Sequence, residues 1–244
     1  MLLILAGAGL LAGFVDAVAG GGGLIAVPAL LAAGVSPVSS LATNKLQSAI
    51  GTTVASVTYW RRGFVSFRAI APAMVAAYFA SMLGAFVVKQ IDVGVLRVAV
   101  PVALIAIAFY FLLARRLGDE DRKARLPFVL GVPALALIVG FYDGILGPGT
   151  GSFLTMGFVA LFGLGVTRAA GNTKLVNLAS NLGALTLFIP SGDVVWLAAG
   201  IMALGQVVGG YLGAIAGIRF GAGLIRPLVV IVSVTLAIKL LFFP

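Results

Sequence analysis

The chain has 244 residues, of which 61% are hydrophobic and 9% charged, and its net charge is +9 at pH 7. A soluble domain would have about 25% charged residues, so this composition excludes a water-soluble fold. It predicts an all-α protein whose helices cross a membrane repeatedly, in a single membrane domain over 1–244. The cations lie in short loops between apolar segments, which is typical of the positive-inside rule and not of nucleic-acid binding.

The chain contains no cysteine and no histidine. This excludes thiol chemistry, cysteine or histidine metal sites and imidazole proton relays. Nothing resembles a P-loop or a nucleophile–base pair, so we expect no enzymatic activity, no metal site and no cofactor. Residues 2–19 are apolar but have no basic region before them, and we interpret them as a retained helix and not as a cleaved signal peptide.

Ten apolar segments follow one another along the chain. Most of them have the roughly 20 residues that a helix needs to cross the hydrocarbon core, but two are too short. Each short segment follows a glycine cluster, where a straight helix cannot continue easily. We expect the short segments to be half-helices or arms of re-entrant hairpins. The segments are 2–19, 23–34, 38–60, 65–88, 93–114, 127–146, 151–165, 169–190, 194–217 and 222–243.

One pattern of residues occurs twice in the chain. Each copy has an acidic residue in an apolar run, then a glycine cluster, a short apolar segment and a lysine that opens a long helix. Acidic and basic side chains are costly within a membrane, so their recurrence suggests a site built from two related halves. The charged residues are Asp16 and Lys45 in the first copy and Asp143 and Lys174 in the second.

The duplication extends beyond this pattern. Lys45 and Lys174 are 129 residues apart, and the same spacing relates Arg97 to Arg226. A constant offset over several segments indicates an internal repeat. We therefore divide the domain into repeat 1 (1–114), a cytoplasmic connector (115–126) and repeat 2 (127–244).

The distribution of charge predicts how the repeats are oriented. The loop at 60–68 has three arginines and no acid, and the connector has five cations, so both should be cytoplasmic. The matching loop of repeat 2, at 190–193, has no cation and one acid and should face outward. Two halves of opposite orientation form an inverted repeat with a pseudo-two-fold axis in the membrane plane, a plan common among transporters.

Asp16 and Asp143 each lie just before a glycine cluster. Acids within apolar segments usually face a cavity or a partner. The functional interpretation is a proton carrier, or an acid that holds a lysine in place. The structural alternative is an acid that is satisfied at a helix end near the membrane interface.

The glycine clusters are the first candidate for a substrate site. Glycine lets the backbone approach a ligand closely, and the amides at a helix N-terminus can bind an anion. In an inverted repeat, two such N-termini would point at one site from opposite sides. The structural alternative is close helix packing through small residues. The candidate residues are Gly20, Gly21, Gly22 and Gly23 in repeat 1 and Gly147, Gly149 and Gly151 in repeat 2.

The polar stripe around each lysine is the second candidate. Its members lie three or four residues apart, so they share one helix face, which should face water or the protein interior. The alternative is that the lysines snorkel to an interface while the amides bond neighbouring helices. Two lysines and two helix N-termini would attract an anion. The candidates are Asn44, Lys45 and Ser48 in repeat 1 and Asn172, Thr173, Lys174 and Asn177 in repeat 2.

The motifs GFVDAVAGGGGLIAVPALLAAGVSP and ATNKLQS, and their second-half counterparts GFYDGILGPGTGSF and GNTKL, resemble the TauE/SafE family of sulfite and sulfonate exporters, also called the toluene sulfonate uptake permease family. The resemblance covers essentially the whole chain. It implies transport of sulfur-containing anions, such as sulfite or organosulfonates, across the bacterial inner membrane. By this resemblance the glycine clusters and the pairs Asn44–Lys45 and Thr173–Lys174 would be pathway residues.

We therefore expect a secondary transporter that exports small, sulfur-containing anions, with Asp16 or Asp143 carrying a coupled proton. A passive anion channel lined by the same residues and a membrane assembly subunit without transport activity are the alternatives. The expected partners are a small anion and the lipid bilayer, and not nucleic acid. The sequence leaves open the substrate, the direction of transport, the coupling ion and whether the chain forms a homodimer.

Overall fold

The structure is a computed structural model that describes residues 1–88, 90 and 118–242, with the backbone alone at 233 and 236–242. The segment predicted at 93–114, and Arg97 within it, lie outside the described residues. Within the described ranges the chain forms helices and no β-strand. These helices are α1 (Leu2–Ala19), α2 (Gly23–Ala32), α3 (Pro37–Arg61), α4 (Phe67–Val87), α5 (Phe128–Ile145), α6 (Thr150–Ala160), α7 (Val166–Phe188), α8 (Trp196–Phe220) and α9 (Ala222–Phe242).

The predicted all-α membrane protein is confirmed. The helices α1, α4, α5 and α8 are long and apolar enough to cross a membrane. The helices α3 and α7 are equally long, but they carry the predicted polar stripes. The helices α2 and α6 have 10 and 11 residues, about half of what a crossing requires.

Glycine and serine set the ends of several of these helices. Gly20 ends α1 with φ at 76°, a left-handed conformation that glycine adopts without strain. Gly149 precedes α6 with φ at 87°. Ser36 caps α3 by accepting a hydrogen bond from the Ser39 amide at 3.3 Å, with Pro37 as the first helical residue. The breaks between α1 and α2 and between α5 and α6 therefore follow from local sequence.

Both short helices fold back toward the end of the bundle from which the chain entered. Leu5, near the start of α1, and Leu30 of α2 belong to one apolar cluster. Phe128, at the start of α5, contacts Phe162 just after α6, with ring centroids 5.8 Å apart. Each short helix therefore forms a hairpin with the long helix before it, and its re-entry into the membrane stays a prediction.

Among the described helices, each repeat packs mainly against the other repeat. The most extensive contacts join α1 to α8 and α5 to α4, followed by α7 with α4, α3 with α8 and α3 with α7. The equivalent helices α3 and α7 run antiparallel, since Ser48 meets Asn181 at one level and Tyr59 meets Gly171 at another. This is the packing that an inverted repeat requires, and the direction of the halves across a membrane stays a prediction.

Glycines let α8 lie directly on α1. Gly205, Gly209 and Gly213 follow one face of α8 at intervals of four residues. A Cβ atom on Gly209 would lie 2.0 Å from the carbonyl oxygen of Leu10. Small residues at such spacing allow the close backbone approach on which helix packing in membranes depends.

The connector is docked onto the helix ends over its described part, 118–126. The Asp119 carboxylate accepts hydrogen bonds from the amides of Thr167, at 3.1 Å, and Ala222, at 3.0 Å. It thereby satisfies free N–H groups in the first turns of both α7 and α9. Asp121 accepts from the Gly165 amide at 2.8 Å and pairs with Arg168. The connector therefore joins helices of repeat 2 instead of acting as a loose linker.

Candidate functional site

The two lysines lie in the protein interior, and each pairs with the acid of the other repeat. Lys45 Nζ is 2.6 Å from Asp143 Oδ2, and Lys174 Nζ is 3.7 Å from Asp16 Oδ2. None of the four side chains is more than 8% exposed. All four side chains are therefore enclosed by protein, and their depth in the membrane stays a prediction. Each acid holds a lysine, which is one of the two functional interpretations of the sequence.

Asp143 has a full set of partners. Its Oδ1 accepts a hydrogen bond from Thr150 Oγ1 at 2.7 Å, and its Oδ2 accepts one from Ser180 Oγ in addition to the Lys45 ion pair. These donors come from α6, α7 and α3, so the acid at the end of α5 ties three other helices together.

Asp16 is bound more loosely. Its Oδ1 accepts one hydrogen bond, from the Gly22 amide at 3.4 Å. Lys174 donates a hydrogen bond to the backbone carbonyl of Asp16, and its ammonium group is at ion-pair distance from the carboxylate. The two ion pairs are thus related by the repeat but differ in geometry.

The tips of the two hairpins touch at the centre of the molecule. The Gly151 amide donates to the Gly20 carbonyl at 3.2 Å, and Ser152 Oγ donates to the Ala19 carbonyl at 2.9 Å. A Cβ atom on Gly20 would lie 2.2 Å from Gly151 Cα. At these two glycines the two backbones are in close contact, and the Gly151 amide already has a hydrogen-bond partner within the protein.

The other cluster glycines lie around the ion pairs. A Cβ atom on Gly147 would be 3.2 Å from Lys45 Nζ, and one on Gly22 would be 2.7 Å from Asp16 Cβ. Gly23 faces Asn44 and Pro148, whereas Gly21 faces Val232. The glycines thus provide the space in which the charged side chains meet.

The polar stripes of α3 and α7 are buried where these helices meet. Asn181 donates to Ser48 Oγ at 3.4 Å, and Gln47 donates to Asn44 Oδ1 at 2.8 Å. Asn177 is 4% exposed.

Two further stripe residues bond locally. Thr173 shares a hydrogen bond with Thr155 at 3.1 Å. Asn172 donates to the carbonyl of Arg168 within its own helix, at 2.8 Å. Ser48 and the two lysines therefore lie where the repeats meet, whereas Thr173 and Asn172 bond within repeat 2.

Three residues near the ion pairs are not among the candidates predicted from the sequence: Thr150, Ser180 and Gln206. Thr150 and Ser180 bond Asp143, and Gln206 is buried between α8, α1 and α3. The repeat gave no signal for two of them, because the 129-residue spacing pairs Ser180 with Gly51 and Gln206 with Ala77. Asn181 lies four residues beyond Asn177, a spacing that indicates the same helix face.

This arrangement can attract an anion only if a carboxylate moves away from its lysine or takes up a proton. Each lysine is neutralised by an acid, so the paired centre has no net charge. An anion would have to compete with the acid for the ammonium group, or the acid would have to take up a proton. The charged groups are also closed off from solvent, so a ligand could reach them only after the helices move.

A family model described as "Sulfite exporter TauE/SafE" matches residues 5–240 of the chain. The chain is 44% identical over 245 residues to "Probable membrane transporter protein ORF9" of Sinorhizobium, an alignment that covers 100% of this chain and 94% of the relative. It is 44% identical over 236 residues to "Probable membrane transporter protein YfcA" of Escherichia coli K12, covering 96% and 87%. A "Probable membrane transporter protein" of Haemophilus influenzae is 40% identical over 242 residues, covering 99% and 95%. No solved structure matches the chain.

Proposed function

The chain belongs to the sulfite exporter TauE/SafE family of membrane transporters, and from this premise we propose that it is a secondary transporter for small, sulfur-containing anions. Sulfite and organosulfonates are the proposed substrates, and the proposed direction is export across the bacterial inner membrane. One observation carries the proposal: each repeat places a lysine in the interior, where the acid of the other repeat neutralises it.

The charge balance of these pairs supports coupling to a proton. A buried lysine without a counter-charge is unfavourable, so the anion and the carboxylate compete for the same ammonium group. Protonation of Asp16 or Asp143 removes the competing charge. The lysine then binds the anion while the centre stays neutral, and anion and proton move together.

The closed centre favours a carrier over a channel. A channel needs a continuous wet path in its open state, whereas here the hairpin tips of Gly20 and Gly151 are in contact. In a carrier, rocking of the repeats would separate these tips toward one side at a time. The amides of the glycine clusters and the side chains of Asn44, Ser48 and Asn177 would then face the anion. We propose no enzymatic step.

The proposal is tested by flux into proteoliposomes. We expect Lys174→Gln to lower the initial rate of labelled sulfite transport at least about tenfold, because an amide replaces the charge–charge attraction. Lys123→Gln, in the exposed connector, is the matched control and should transport like the wild type. A pH-sensitive dye inside the vesicles should report proton movement with sulfite.

Two results would count against this function. Unchanged flux in Lys174→Gln would remove the lysine from the mechanism. Single-channel currents far above the turnover of a carrier would favour a passive anion channel.

A further inference from the structure

The two buried ion pairs differ in how completely their acids are bonded. Asp143 lies 2.6 Å from Lys45 Nζ and accepts hydrogen bonds from two hydroxyl groups. Asp16 lies 3.7 Å from Lys174 Nζ, and its carboxylate accepts one long hydrogen bond, at 3.4 Å. Within the described residues, the Asp16 carboxylate can therefore accept further hydrogen bonds, whereas the Asp143 carboxylate is more fully bonded.

Part of the difference follows from two positions at which the repeats diverge. Repeat 2 has Ser180 to bond its acid, but the equivalent residue of repeat 1 is Gly51. The side chain of Gln206 fills the space that Gly51 leaves, and a Cβ atom on Gly51 would lie 2.2 Å from Gln206 Oε1. The residue equivalent to Gln206 is Ala77, so the other half has no such amide.

Gln206 also lies close to the helix that carries Asp16. A Cβ atom on Gly13 would be 2.8 Å from Gln206 Oε1. Gly13 precedes Asp16 by three residues, about one turn of α1. Gln206 is therefore on the side of the centre where the looser ion pair lies.

The amide of Gln206 is buried without a hydrogen bond. The residue is 1% exposed, and neither Nε2 nor Oε1 has a partner in the part of the chain that the structure describes. Burial of an unpaired amide is unfavourable, so an apolar side chain would be more stable here. A polar ligand would supply the missing partner, and Nε2 can donate to an oxyanion.

We propose that the anion binds on the Asp16–Lys174 side of the centre, where Gln206 donates a hydrogen bond to one of its oxygens, while the Lys45–Asp143 pair is a structural clamp. The inference rests on the proposed anion transport. An oxyanion that enters this side takes the place of the Asp16 carboxylate beside Lys174. The tight pair meanwhile keeps α5 bound to α3, α6 and α7.

Sulfite binding to the purified protein, followed by titration calorimetry, tests this inference. Gln206→Met removes both polar atoms of the amide, Nε2 and Oε1, at similar volume. We expect the Kd for sulfite to rise about tenfold, because a hydrogen bond to a charged ligand is lost. Ser56→Ala is the control. It removes a hydroxyl that is likewise buried without a partner among the described residues, and the Kd of this variant should stay within twofold of the wild type. An unchanged Kd in Gln206→Met would overturn the inference.

Thermal unfolding without ligand provides a second readout that does not depend on the substrate. Gln206→Met should have a Tm equal to or above that of the wild type, and Asp143→Asn should lower the Tm more than Asp16→Asn does. The opposite order of the two acids, or a Gln206→Met protein less stable than the wild type, would overturn the inference whatever the ligand. Wild-type protein that binds neither sulfite nor a sulfonate would instead refute the proposed function.

Discussion

At the scale of single residues, the interior is organised by charges that are satisfied only in pairs. A buried ion pair contributes little net stability compared with apolar residues of the same volume. Removal of one partner, however, leaves an uncompensated charge. The Lys45–Asp143 pair, at 2.6 Å, should therefore behave very differently in single and in double variants.

We predict that Asp143→Ala lowers the free energy of unfolding by about 3–5 kcal/mol, because Lys45, Thr150 and Ser180 all lose their partner. The double variant Lys45→Met/Asp143→Leu should recover most of this loss, because no charge is left unpaired. Denaturation in detergent measures both effects. A double variant no more stable than Asp143→Ala would contradict the prediction.

At the scale of helices, two devices position the charged residues: glycine contacts between helices and the docked connector. The glycine face of α8 sets how closely α1, and with it Asp16, approaches the other repeat. The connector holds the start of α7, the helix that carries Lys174. Each device can be tested against a control in the same segment.

The glycine contact is tested with Gly209→Ala. The new Cβ atom would lie 2.0 Å from the Leu10 carbonyl oxygen, so α1 has to move, and we expect a loss of about 1–3 kcal/mol in the free energy of unfolding. At Gly200, in the same helix, a Cβ atom meets nothing within 4 Å. Gly200→Ala should be neutral, or more stable by about 0.5–1 kcal/mol. Equal effects of the two substitutions would show that this contact is not tight.

The docked connector is tested with Asp119→Ala. Its carboxylate bonds first-turn amides of α7 and α9, at Thr167 and Ala222, and a lost helix cap costs about 1 kcal/mol. We therefore expect a loss of about 2 kcal/mol in the free energy of unfolding. The neighbouring Glu120 is exposed, and Glu120→Ala should change the free energy of unfolding by less than about 0.5 kcal/mol. A stable Asp119→Ala protein would mean that the connector does not contribute to the fold.

At the scale of the whole molecule, the two hairpins enter from opposite ends of the bundle and meet at their tips. The ion pairs cross between the repeats, so neither half can complete its own charged site. This arrangement predicts that the two repeats cross the membrane in opposite directions, which can be measured by labelling from one side.

The absence of cysteine makes the topology directly testable, because an introduced cysteine is then the sole thiol in the chain. Ser66 and Ser191 are both exposed, at opposite ends of the bundle. We predict that an impermeant maleimide labels Ser191→Cys in intact cells, whereas Ser66→Cys is labelled only after the membrane is permeabilised. Labelling of both from the same side would contradict the predicted inverted repeat.

Much of the fold could be predicted because helix ends depend on local sequence. The segment predicted at 38–60 is the helix Pro37–Arg61, and the predicted short segments are indeed short helices. The docking of Asp119 could not be predicted, because its partners lie 48 and 103 residues further along the chain. A polar run between apolar segments has the same composition whether it is loose or docked.

The sequence by itself determined the membrane class and the helices of the described residues, and it predicted a duplication and the charged residues that enter the interior. These properties follow from composition, glycine positions and a constant spacing, and none of them needs a contact between distant residues. Only the tertiary structure decided that Lys45 pairs with Asp143 and Lys174 with Asp16, and that the second pair is looser. The physical reason is that a repeat predicts equal halves, whereas the bonds of each acid depend on neighbours such as Ser180 and Gln206, which packing brings from helices far along the chain.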